Sequence, residues 1–108
     1  MTKNDSISIA KDFSTVPAGR FLSDGPNSGE RFRNDFLAPA LRAKDKVTVI
    51  IDGVEGYGSS FLEECFGGLV RELKFNKAEL KNKLEIKYDA PEFKMYADMI
   101  LEYIEQAK

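Results

Sequence analysis

The sequence contains no histidine. Histidine is the one side chain whose unperturbed pKa lies near neutrality, the usual general base and a common metal ligand, so hydrolytic triads and zinc sites are poor readings of this chain. Cysteine is almost as scarce. Cys65 stands alone, so no internal disulfide forms, and no charged leader followed by an apolar run opens the sequence; together these lead to an expectation of a reducing, cytoplasmic setting. With one Cys and no His, a metal would have to be a hard cation held by carboxylates, and no run has the spacing of a calcium loop. Neither a metal nor a cofactor is expected. Long apolar stretches are missing too, each spanning a handful of residues against the roughly 20 that a membrane-crossing helix needs. Nor is there a dominant sign of charge. Lys and Arg number 16 against 18 Asp and Glu, too balanced to draw the molecule onto nucleic-acid phosphates or an anionic membrane. No nucleic-acid partner is expected.

What is present is enough for one core: 108 residues, 43% of them hydrophobic. A single domain over 1–108 follows, with residues 1–5 expected to be mobile. Ser6-Ile7-Ser8-Ile9 alternates with the period of a half-buried strand. Pro17, Gly19, Gly25 and Pro26 then break regular structure, and predict a long loop from Phe13 to Asn27 with an extended piece near Gly19 to Leu22. Phe32, Phe36 and Ala40 recur at helical spacing, predicting an amphipathic helix to about Lys44 that is kinked at Pro39 or made of two abutting helical pieces there. Val47 to Ile51 is β-branched throughout, and reads as a central strand covered on both faces. Leu62, Phe66, Leu69 and Leu73 mark the next helix, with Ser60 and Glu63 at capping-box spacing. Leu84 to Tyr88 alternates as a third strand. Pro91 then suits a first helical position, and Tyr96, Ile100, Tyr103 and Ala107 form the stripe of a terminal helix flanked by Met95 and Met99. This order predicts an α/β fold with a largely parallel or mixed sheet and crossover helices.

Ligands of open α/β sheets bind beyond the carboxyl ends of strands, so the loop from Asp52 to Ser60 is the first candidate site. Gly53, Gly56 and Gly58 allow tight turns and close approach, and the helix start offers N–H groups to an anion. Gly56, Tyr57, Gly58, Ser59 and Ser60 are the candidate partner-binding or phosphorylation residues. Ser60 reads as the helix cap and Ser59 as the serine left over. Gly56 and Gly58 lack the third glycine of a dinucleotide fingerprint, and no Gly-Lys-Ser/Thr closes a nucleotide phosphate loop. The second candidate is a set of anion-binding residues, Arg20, Ser28, Gly29, Arg31 and Arg33, before and at a helix start. Its alternative is that Asp24 or Ser28 caps the helix while the arginines are solvated or paired within the chain. Cys65 reads as a buried small hydrophobe. Gly67-Gly68, costly inside a helix, implies a close backbone contact with the sheet or with a partner. Arg71, Lys74, Lys77, Lys81, Lys83 and Lys87 read as a solvated face.

The segment Gly53-Val54-Glu55-Gly56-Tyr57-Gly58-Ser59-Ser60-Phe61-Leu62 resembles the signature of STAS domains, found in sulfate transporters and anti-sigma-factor antagonists. Over residues 7 to 88 the chain is similar to a STAS-like bacterial family of unknown function. The similarity runs through Gly19-Arg20, Asp24-Gly25-Pro26, Ser28-Gly29-Glu30, Phe32-Arg33, Pro39-Ala40-Leu41 and Ser59-Ser60-Phe61-Leu62-Glu63-Glu64. It implies a sheet with helices and a serine phosphorylated by a partner kinase that is also an anti-sigma factor, which switches binding off. By position that serine is Ser59. Gly58 stands where the signature has aspartate, and Phe61 where it has glycine. The Arg20 to Arg33 loop has no counterpart in classical antagonists, which implies a different partner or an added anion site.

The leading reading is therefore a non-enzymatic regulatory module with a protein partner, a kinase or an anti-sigma-like regulator. A sensor of a phosphate-bearing small ligand held between Ser59 and Arg20, Arg31 or Arg33 is the alternative. An enzyme using Asp52, Glu55 or Glu63 as acid or base ranks last.

Overall fold

In the computed structural model, which describes residues 4–108, Val47, Val49 and Ile51 point to one side of a strand and Thr48 to the other. That strand, β2 (Lys46–Ile50), lies between β1 (Asn4–Ser8) and β3 (Leu84–Lys87). Both pairings are parallel, Asn4 opposite Lys46 through Ser8 opposite Ile50, and Val47 opposite Leu84 through Ile50 opposite Lys87. This register puts Ile7, Val47, Val49, Leu84 and Ile86 on one face. Ser6, Ser8, Lys46, Thr48, Ile50, Glu85 and Lys87 share the other, where Thr48 donates to Glu85. The expectation that β2 is covered on both faces is corrected. Its apolar run has neighbours that are polar at every second position, so helices cross over one face and the other stays open.

The first strand begins earlier than Ser6. Asn4 and Asp5, expected to be mobile, pair with Lys46 and Val47, while residues 1–3 of that expected mobile segment lie outside the described residues. Ile9, the expected end of the strand, is fully buried in a wide helical turn, Ile9–Phe13, capped by the Ser8 hydroxyl. In the loop that follows, the extended piece expected near Gly19 to Leu22 is not a strand: Gly19 has φ 92°, Leu22 opens a short 3-10 turn, Leu22–Asp24, and the Ala18 amide donates to the Asn27 carbonyl.

Helix α1 spans 29–43 and contains a wide π-type turn, Arg33–Leu37, immediately before Ala38 and Pro39. Proline has no N–H and its ring crowds the carbonyl four residues back; the Ala38 amide instead reaches Arg33. The helix passes Pro39 through this wide turn without breaking into two pieces. Helix α2 spans 59–71, again with a wide turn at Glu63–Gly67. It ends where Lys74 turns into the left-handed region at φ 62° and the Phe75 amide closes back on Leu69. A short helix α3, Lys77–Lys83, was not expected in this basic stretch. Its sequence signal is Asn76 with Glu79 three residues on, the Asn76 side chain accepting from the Glu79 amide.

A 3-10 turn, Pro91–Phe93, leads into α4, Lys94–Gln106. Ala97, Ile100, Ile104 and Ala107 are its buried stripe, with Tyr96 and Tyr103 half-buried beside it. The helix packs mainly on α2, whose Phe61, Leu62, Cys65, Phe66 and Leu69 are fully buried. Each of these leucine and phenylalanine side chains stabilises the fold by roughly 1.5–3 kcal/mol relative to leaving it exposed. Phe13, Phe32, Phe36 and Phe61 interlock beside it, with the Phe13 and Phe32 rings 5.2 Å apart. Among the described residues no helix is long and apolar enough to cross a membrane.

Candidate functional site

The loop after β2 is braced from below and open above. The Asp52 carboxylate accepts from the amides of Asp89 (2.8 Å) and Ala90 (3.1 Å), tying this loop to the one after β3. Gly53 has φ 92°, and a Cβ there would lie 2.9 Å from the Ala10 methyl. Val54 and Tyr57 are buried. The Tyr57 hydroxyl donates to the Ile51 carbonyl at 2.8 Å, its ring stands edge-on to Tyr96 at 5.2 Å, and burial pushes its phenol pKa up. Tyr57, expected on the contact surface, is thus the brace beneath it. Gly56 is half-buried, with a Cβ position 3.2 Å from the Tyr96 hydroxyl. Gly58, Ser59 and Ser60 are exposed.

The expected capping box is absent. Gly58 occupies the cap position, no side chain caps the helix, and Ser59 and Ser60 are its first two residues. A serine already inside the helix cannot bend its hydroxyl to the amides that a cap would satisfy. Glu63 is meanwhile drawn away to two arginines.

One of them, Arg20, belongs to the second candidate region, which the structure closes rather than opens. Ser28 is buried and its hydroxyl accepts from the Arg31 amide, while the Gly29 and Glu30 amides donate to the carbonyls of Gly19 and Arg20. The N–H groups at the start of α1 that would greet an anion are therefore occupied by the chain itself. Asp24 accepts from the amides of Arg20 and Phe21, and Glu30 from that of Leu22, locking the loop. Arg31 donates to the Pro26 carbonyl and pairs with Asp35. Arg33, 3% exposed, donates to the backbone carbonyl (2.9 Å) and the carboxylate (2.6 Å) of Glu64, itself 4% exposed. Arg20 pairs with Glu63 and, at 3.2 Å, with Glu64; Arg71 pairs with the same two carboxylates and with Glu72. Burial works to raise the Glu63 pKa, but hydrogen bonds from Arg20 and Arg71 outweigh it and hold the carboxyl below its ordinary value. The paired-arginine alternative describes this arrangement, in place of an anion site at Arg20, Ser28, Gly29, Arg31 and Arg33.

Two close approaches make the network possible. A Cβ on Gly68 would lie 2.3 Å from Arg33 Nη1, and one on Gly29 would lie 2.5 Å from the Phe61 carbonyl oxygen. The glycine contact expected with the sheet or a partner is instead with Arg33 and, for Gly67, with the Glu63 carboxylate and the Tyr103 carbonyl. Arg71, assigned to a solvated face, was missed because its partners Glu63 and Glu64 lie two turns back on its own helix. Cys65 is fully buried, and burial pushes its thiol pKa well up. Among the described residues no group of three or more His, Cys, Asp or Glu is placed to hold a metal.

The model of one protein family, the STAS-like domain of unknown function (DUF4325), matches residues 28–92. The chain belongs to this family. Its match runs from the cap of α1 to the turn before α4 and takes in both Arg33 and Glu64, while Arg20 precedes it. No curated protein and no solved structure matches.

Proposed function

We propose that this domain is a regulatory module that binds a protein partner through Gly56, Gly58, Ser59 and Ser60, with Tyr57 as the brace beneath, and that phosphorylation of Ser59 switches the contact. The observation that carries this reading is an exposed serine at the first position of α2 with no capping duty. A phosphate adds about two negative charges where a partner would dock, repelling an acidic surface or desolvating poorly on burial. The same charge sits favourably at a helix start, so the fold holds while the interface changes. The STAS resemblance supports a kinase or an anti-sigma-like regulator as the partner. Arg20, Arg31 and Arg33 are each engaged within the chain, which favours this reading over a sensor of a phosphate-bearing small ligand.

The test uses wild type, Ser59→Ala and Ser59→Asp as baits in pull-downs from host lysate, alongside their thermal midpoints. A protein held by wild type and Ser59→Ala but lost by an equally stable Ser59→Asp supports the switch. Equal capture by all three overturns it.

A further inference from the structure

The Ser59 face lies at the carboxyl ends of the strands; a different surface lies at their amino ends. Between α3, the first residue of β3 and the second half of α4 runs a groove of about 190 Å³ lined by Leu80, Leu84 and Ile104. Leu101 forms its lip and is 59% exposed, the most exposed large hydrophobic side chain among the described residues. The walls differ in sign. Lys77 and Lys81 stand on α3 and Glu105 on α4, with Glu102 one turn earlier on α4 outside the lining. These walls do not neutralise each other within the chain. Lys77 donates to the backbone carbonyl of Glu105, Glu102 accepts from Gln106, and no ion pair of the described residues involves Lys77, Lys81, Glu102 or Glu105.

We propose that the occupant of this groove is a second copy of the chain, related by a two-fold axis. A partner of one sign would match one wall and oppose the other. A two-fold copy presents the same surface turned around, so the basic wall of each chain meets the acidic wall of the other. Leu101 of each enters the groove of its partner, and Lys81 of each faces Glu105 across the axis. The Gly56 to Ser60 face, at the opposite end of the sheet, stays free in such a dimer.

Sedimentation equilibrium over a rising concentration series tests this. Wild type is expected to approach twice the monomer mass, and Leu101→Asp, altered at an exposed position, to keep its helical circular dichroism yet remain monomeric. Lys81→Glu and Glu105→Lys should each weaken self-association about tenfold by setting like charges opposite each other. An equimolar mixture of those two variants restores it, because every pair across the axis is again of opposite sign. A wild-type monomer up to about 1 mM overturns the proposal and leaves the groove to a helix of another chain. So does a mixture no better than its components, or growth beyond a dimer.

Discussion

The two ends of one helical turn in α2 are treated oppositely by the rest of the chain. Ser59 and Ser60 stand exposed with no side-chain cap, whereas Glu63 and Glu64, immediately downstream, are held by arginines from the 14–27 loop, from α1 and from α2 itself. Polar residues that look alike in sequence divide by whether another segment returns to satisfy them. Where it does, as at Glu64, the group is committed to the fold; where it does not, as at Ser59, it remains open to another molecule.

The largest effect should come from breaking the committed side. Glu64→Ala leaves Arg33 charged and buried without its carboxylate, and should lower stability by roughly 3–5 kcal/mol, read from the urea midpoint at unchanged slope. Replacing both, Arg33→Met with Glu64→Leu, should cost less than Glu64→Ala alone, since no charge is left stranded. Next come the close approaches. Gly68→Ala and Gly29→Ala should each destabilise by roughly 1–3 kcal/mol, because Arg33 or the Phe61 backbone must move to admit a methyl group.

Acid should then sharpen the comparison. The folded-state pKa of Glu63 is depressed, so its contribution is fully present above the ordinary carboxylate pKa and is lost as pH falls through the lowered folded value. Glu63→Gln should flatten that part of the acid unfolding curve followed by circular dichroism. The smallest effect belongs to the open side. Ser59→Ala and Ser60→Ala should shift the unfolding free energy by no more than about 0.5 kcal/mol, whereas a serine acting as cap would cost about 1 kcal/mol when replaced.

Much of the fold was legible because periodicity is local. Val47 to Ile51 announced the central strand, and Leu62, Phe66 and Leu69 announced α2, since burial on one side of an element imposes its own repeat. The open sheet face was not legible from β2 alone. It depends on Ser6, Ser8, Glu85 and Lys87 arriving beside Thr48 and Ile50 through pairing with two distant strands. The candidate loop was located correctly at the end of β2, yet Ser60 and Glu63 fitted a capping spacing that the helix did not use. Spacing permits a bond; the start residue of the helix and the rival arginines decided against it.

The sequence by itself determined the order of the three strands and the helices between and after them, except α3, the α/β character with a largely parallel or mixed sheet, most of the apolar residues that fill the core and the glycine-serine turn. These follow from side-chain periodicity and from glycine and proline backbone preferences, which act within a few residues. Only the tertiary structure decided which charges are structural. Arg20 meets Glu63 across 43 positions of sequence and Arg33 meets Glu64 across 31. Pairings at that separation exist only once two helices and a loop have packed together, with Gly29 and Gly68 letting them come close.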